Sequence, residues 1–175
     1  MIKHIQYILI LSLCLVNNAL ALIEIDITEG NREPLPIAIS DFFYDEIDSS
    51  KLSEISVNLS NVVKADLERC GLFEPINKDA FIQNNSAMHL RPRFEDWRLI
   101  KSQALVTGKL KIVDGDKLRV EFRLWDTLAE KEIEALVLIT TLDNWRRISH
   151  MISDKVYERL TGERGYFDTR ILYVS

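Results

Sequence analysis

Two cysteines in 175 residues, Cys14 and Cys70, leave no basis for a disulfide framework. No stretch reads as a P-loop, a dinucleotide glycine fingerprint, a nucleophile elbow or a zinc site. Thr161-Gly162-Glu163-Arg164-Gly165 carries glycines but lacks the Lys-Ser/Thr pair that holds a phosphate and its metal. His89 lies in a polar stretch and His150 in a helical pattern, and neither has a second His, Cys or carboxylate at ligand spacing. Positive charge is also in short supply: 22 Lys and Arg against 27 Asp and Glu give a net charge of −5, which argues against a nucleic-acid partner. The apolar run Ile8–Val16 falls short of the roughly 20 residues that span a bilayer. The residues themselves thus call for no cofactor and no metal, and they do not describe an enzyme.

What is present begins with a targeting segment. Lys3 and His4 precede the run Ile8–Val16, and Asn17-Asn18-Ala19-Leu20-Ala21 follows as an A-x-A cleavage site. This is the order of a signal peptide, residues 1–21, cut after Ala21. Cys14 would leave with it, making Cys70 the only thiol of an exported product and a small buried hydrophobe at the end of a helix. The new terminus, Leu22-Ile23-Glu24-Ile25-Asp26-Ile27-Thr28-Glu29-Gly30, alternates apolar and acidic residues. Such a segment is an edge strand of its own domain or adds to the sheet edge of a partner.

The body of the chain is organised around Ala104–Thr140. Leu118, Val120, Phe122 and Leu124 alternate with Lys117, Arg119, Glu121 and Arg123, the period of two of a half-buried strand. Asp114-Gly115-Asp116 reads as the hairpin turn before it; two carboxylates there are too few for a calcium loop. A third strand over 130–140 puts Ile133, Ala135, Val137 and Ile139 on one face. Upstream, Ile37–Phe43 and Leu72–Ile76 read as buried strands, with a helix between them carrying Leu52, Ile55, Leu59, Val62, Val63, Leu67 and Cys70 on one stripe and Gly71 just past its end. Residues 77–92 read as a polar loop and 94–101 as a short helix. A final helix carries Trp145, Ile148, Ile152, Val156 and Leu160, with Asp143 as its cap and Gly162 as its stop. Its charges Arg146, Arg147, Asp154, Lys155, Glu158 and Arg159 read as a solvated face. The order predicts an α/β or α+β domain, read here as α/β with a mixed β-sheet of about five strands flanked by helices. Asp41, Asp45 and Glu46 follow the first buried strand, where open α/β sheets place their sites, and they allow an alternative reading as an exported small-molecule binder or hydrolase.

From the last helix onward the chain resembles the TolB family of periplasmic proteins. The run Asn144 to Val174, with Trp145, His150, Ser153-Asp154, Leu160-Thr161-Gly162 and Gly165-Tyr166-Phe167-Asp168-Thr169-Arg170-Ile171, carries the likeness most specifically. Pro36-Ile37-Ala38-Ile39, Asp66 to Pro75, and Trp97 to Gly108 match in the same order. The resemblance implies an anticodon-binding-domain-like fold over 35–165 and, over 166–175, a link and first strand leading to a β-propeller. It implies that residues 22–34 form the segment that contacts the inner-membrane-anchored partner TolA, through Leu22, Ile23, Glu24, Ile25, Asp26, Ile27, Thr28, Glu29, Gly30, Asn31 and Arg32. It also implies a periplasmic adaptor of the Tol–Pal envelope system, serving outer-membrane integrity, cell division and protein import, and meeting membranes only through its partners. The family's other partner, Pal, is gripped mainly by the propeller; the sequence ends at Ser175, which leaves Pal binding in doubt.

Overall fold

The computed structural model describes residues 33–45, 50–84 and 91–169. Strands β1 (Leu35–Ile39) and β2 (Phe43–Tyr44) are followed by helix α1 (Ser50–Arg69) and β3 (Phe73–Pro75). A single 3₁₀ turn (Lys78–Ala80), helix α2 (Phe94–Leu99) and the meander β4 (Ala104–Val113), β5 (Lys117–Asp126) and β6 (Lys131–Thr141) come next, and helix α3 (Trp145–Thr161) completes the order. The strands lie in the order β3-β1-β4-β5-β6, with β2 pairing onto β4 beyond the end of β1. β1 runs parallel to β3 and β4, and the meander is antiparallel. The described sheet therefore has six strands rather than about five. The apolar run Ile37–Phe43 is split in two, because Ser40 turns its amide and its hydroxyl to the carbonyl of Val106 and ends the ladder of β1.

Period two sets the two faces. Ile37, Ile39, Val106, Leu110, Leu118, Val120, Phe122 and Leu124 point to one side and are closed over by α1 and α3, whose stripes Leu52, Ile55, Leu59, Val63, Leu67 and Ile148, Ile152, Val156, Leu160 are buried there. On the opposite side a smaller core gathers Ala38, Leu105 and Trp125 under Phe94 and Trp97 of α2. The helix so covers only one end of that face and leaves the rest open. Both indoles find partners, as buried tryptophans must: Trp125 donates to Thr107 Oγ1 at 2.9 Å and Trp97 to Gln83 Oε1 at 3.2 Å. Gly108 makes one close approach possible. A Cβ there would stand 2.3 Å from the Phe42 ring and 2.6 Å from the carbonyl of Glu121.

β6 departs from the expected face. A bulge opposite Leu124 and Trp125 leaves Ile133 without a partner in the ladder, between Glu132 and Glu134. One extra residue reverses the alternation beyond it. Ile133, Leu136 and Leu138 pack on the main core, while Ala135, Val137 and Ile139 stand on the open face. The hairpin expected at Asp114-Gly115-Asp116 forms, with φ of 50° at Asp114 and 84° at Gly115. Gly71 and Gly162 take the left-handed positions after α1 and α3. Asp143 is not the cap of α3: a 3₁₀ turn, Leu142–Asn144, leads directly into the helix, and no side chain caps it. The apolar run 171–174 lies outside the described residues.

Candidate partner-binding segment and its surroundings

The segment Leu22–Arg32 lies outside the described residues; its point of attachment does not. Leu35 is buried, its amide donates to the carbonyl of Leu72, and the carbonyl of Pro36 accepts from Gln103. The chain thus passes from residue 32 through Glu33 and Pro34 directly into β1, which is held on both sides by β3 and β4.

The carboxylates after β1 are not gathered into a site. Asp41 pairs with Lys78 and accepts from Ser60 Oγ at 2.5 Å, while Lys78 Nζ also reaches Ser60 Oγ at 2.9 Å. This cluster ties the end of β1, the middle of α1 and the 3₁₀ turn together. Ser60 has no exposure, so the group lacks an accessible nucleophile. Asp45 pairs instead with Lys109 of β4 at 2.6 Å. Glu46 is outside the described residues. Among the described residues no three His, Cys, Asp or Glu side chains stand close enough to hold a metal ion, and no helix is long and apolar enough to cross a membrane.

Two acidic residues join elements of the fold: Asp66, whose role the sequence does not announce, and Asp154, which reads from sequence as part of a solvated face. Asp66 of α1 is 3% exposed. Its Oδ2 lies 2.7 Å from His150 Nδ1 and accepts from Ser153 Oγ at 3.0 Å, both on α3, and its Oδ1 accepts from Arg69 at 2.9 Å. His150 therefore does have a carboxylate partner, 84 residues distant in sequence. The second is Asp154 of α3, whose carboxylate accepts from the backbone amides of Phe167 at 2.7 Å and Asp168 at 3.1 Å. Gly165 lies so close that a Cβ would be 2.5 Å from Asp154 Cα. Arg147 reaches Asp168 at 3.2 Å, and the rings of Tyr157, Tyr166 and Phe167 pack against one another. The charged face of α3 is thus used to hold the segment that leaves it, rather than left wholly to solvent. Glu158, held below the usual carboxylate range chiefly by its hydrogen bond from Lys155, accepts from the amide of Gly165 as well. Burial raises the Tyr157 and Tyr166 phenols. Nothing in the local sequence marks Asp66 or Asp154, because both act on backbone or side chains brought up by the fold.

Comparison with known proteins agrees with this architecture. The family described as the TolB amino-terminal domain matches residues 23–133. The Tol-Pal system protein TolB of Pelagibacter ubique (strain HTCC1062) is 53% identical over 176 aligned positions, which take in 97% of this chain and 39% of that protein. Among solved structures, TolB from Acinetobacter baumannii superposes with a TM-score of 0.63 at 24% identity, over 84% of this chain and 33% of that one. The lipoprotein GNA1162 from Neisseria meningitidis gives a TM-score of 0.48 at 13% identity, over 62% of this chain and 81% of that one. The mixed sheet with its flanking helices matches the fold of the Acinetobacter structure, and the chain spans about two fifths of the length of its curated relative.

Proposed function

The chain belongs to the TolB family, of which it carries the amino-terminal domain, and from that we propose that it serves as a periplasmic adaptor module of the Tol–Pal system. In this reading Leu22–Arg32 is the working element and engages TolA. The α/β body is the scaffold that presents it. The observation that carries the proposal is that the family match begins at residue 23, two residues past the expected cleavage point, which supports reading the alternating segment as part of the family's domain. Two features support it. The segment joins the body at Leu35, at the start of an internal strand, so a pull on it is borne by the β1–β3 and β1–β4 ladders. The acids Asp41, Asp66 and Asp154 are engaged in holding the fold together, as befits a scaffold. Roles in outer-membrane integrity, cell division and protein import would follow from the same linkage, and contact with Pal would fall to the parts of longer relatives beyond this domain.

The test is a pull-down of the chain against the periplasmic domain of TolA and, separately, against Pal. Capture by TolA, lost on deletion of 22–32 with the melting temperature changed by less than about 2 °C, is the expected result; a change that small corresponds to at most about 0.5–1 kcal/mol for a chain of this size. Binding to TolA that survives the deletion refutes the assignment of the segment. A large drop in melting temperature would instead make 22–32 a structural strand.

A further inference from the structure

We propose that this domain is built to carry a load between its two connections, with β1 loaded in shear and the stretch 162–168 acting as a tensioned strap. The inference concerns the domain alone and is tested without TolA or Pal, so it stands or fails apart from the adaptor reading.

Strand directions set the two connections at different levels of the sheet. β1 starts where Leu35 faces Phe73. β4 runs parallel to β1, and β5 and β6 each reverse, so β6 ends at the level where β1 ends. α3 starts there and returns. The Tyr157 ring stands edge-on to Phe73 with centroids 6.4 Å apart, and Arg159 donates to the carbonyl of Ile133, near the start of β6, at 2.8 Å. The chain then doubles back once more. Past the left-handed Gly162 it runs along α3 until the amides of Phe167 and Asp168 reach Asp154 and the Asp168 carboxylate meets Arg147. From Thr161 back to Asp154 is about two turns of helix, roughly 10 Å. A pull between residues 33 and 168 therefore drags β1 backward along its own axis, while the body is held from higher on α3.

That is the direction the ladders resist best. On the β3 side the Leu35 amide donates to Leu72 and the Ile37 carbonyl accepts from Ile76; on the β4 side the Pro36 carbonyl accepts from Gln103 and the Ser40 amide donates to Val106. These bonds run across the strands, so sliding β1 strains them together, whereas peeling it from one end breaks them in turn. Sliding must also draw Ile37 and Ala38, neither with any exposure, out of the two cores. The strap serves the other connection. Its bonds to Asp154 and Arg147 deliver the pull to the middle of α3. Without them the pull arrives at Gly162 and peels α3 from its last turn.

The test is single-molecule force spectroscopy of the full chain through cysteine handles, in a Cys14→Ala, Cys70→Ala background. Glu33→Cys with Thr169→Cys pulls through the domain's own connections. Glu33→Cys with Leu128→Cys pulls from the turn between β5 and β6, which lies at the same end of the sheet as the start of β1 and so peels β1 from β4. At one loading rate the first pair should rupture at the higher force. Asp154→Ala in the first pair should add a short extension before the main rupture and lower its force. An equal or lower rupture force through the domain's own connections overturns the proposal. A trace unchanged by Asp154→Ala overturns the part given to the strap. The two handle pairs differ at exposed positions and share one fold, so their comparison decides the matter even if Asp154→Ala disturbs α3.

Discussion

Replacing Asp66 by Ala removes a buried polar link between α1 and α3, and its effect can be worked from the structure. Three contacts are lost. The bond from Arg69 is worth little, because the guanidinium side chain is 72% exposed and exposed ion pairs contribute about 0.5 kcal/mol. The contacts with His150 and Ser153 matter more, since the carboxylate is buried and hydrogen bonds to a charged group contribute about 1.5 kcal/mol or more each. Ser153 keeps a second acceptor in the carbonyl of Ser149, and His150 is partly open to water, so neither is left wholly unsatisfied. Against the loss stands the relief of no longer holding a carboxylate out of water. The balance is a destabilisation of about 2–3 kcal/mol, or a drop in melting temperature of roughly 5–10 °C for a chain of this length. Thermal unfolding followed by far-ultraviolet circular dichroism measures it. A double-mutant cycle with Ser153→Ala should show the two sites coupled, since they share one bond. An unchanged or higher melting temperature for Asp66→Ala would refute the reasoning. It would show that the carboxylate costs as much to bury as its partners return, and that the apolar stripes alone hold the two helices.

Gly108→Ala should lower stability by about 2 kcal/mol, within the range for overpacked cores, because the added methyl meets the Phe42 ring and the Glu121 carbonyl and Phe42 has no room to retreat; chemical denaturation would read it, and a neutral result would mean that the strand relaxes more easily than the contact distances allow. Cys70 is half-buried, its thiol donates to the carbonyl of Leu67, and burial raises it above its ordinary value. In the folded chain, peptide mapping after iodoacetamide at pH 8 should therefore find Cys70 modified more slowly than after unfolding in urea. The sign of the linkage follows: the folded chain holds this proton more tightly, so the thiol's contribution is full below its unfolded value near pH 9 and is lost as pH rises through the higher folded one.

Much of the sheet was legible because its signals are local. The strict alternation of β5, the Asp-Gly turn before it, and the stripes of α1 and α3 each depend on residues within a few positions of one another, and each appears where the pattern puts it. The failures have a common cause. At β6 a single bulged residue, Ile133, changes which face the following residues take, and nothing in the run Lys131–Thr141 announces it; the signal lies in the partner strand, at Leu124 and Trp125. The split of Ile37–Phe43 into β1 and β2 depends on Ser40 finding the carbonyl of Val106, 66 residues away. His150 looked solitary because its carboxylate lies on another helix. Local sequence specified the elements well and their tertiary partners poorly.

The placement of the acids links the fold to its use. A chain with a surplus of Asp and Glu would be expected to scatter them over its surface, yet three of them are set where each joins elements distant in sequence: Asp41 to the turn at Lys78, Asp66 to α3, Asp154 to the backbone of residues 167 and 168. The first two hold α1 against the end of β1 and against α3. The third holds residues 167 and 168 against α3, just as the β1 ladders hold the stretch that begins at Leu35. Both connections of the domain are therefore held firmly to its body. If the chain serves as the adaptor proposed above, that arrangement suits it, because slack at either connection would absorb a displacement before it reached the other side. Loss of function without unfolding is therefore expected at this clamp: Asp154→Ala should free the stretch 162–168 to proteolysis while the core melts at nearly its original temperature. If instead the whole domain melts with it, the clamp is part of the core and the two connections are not separable from the fold.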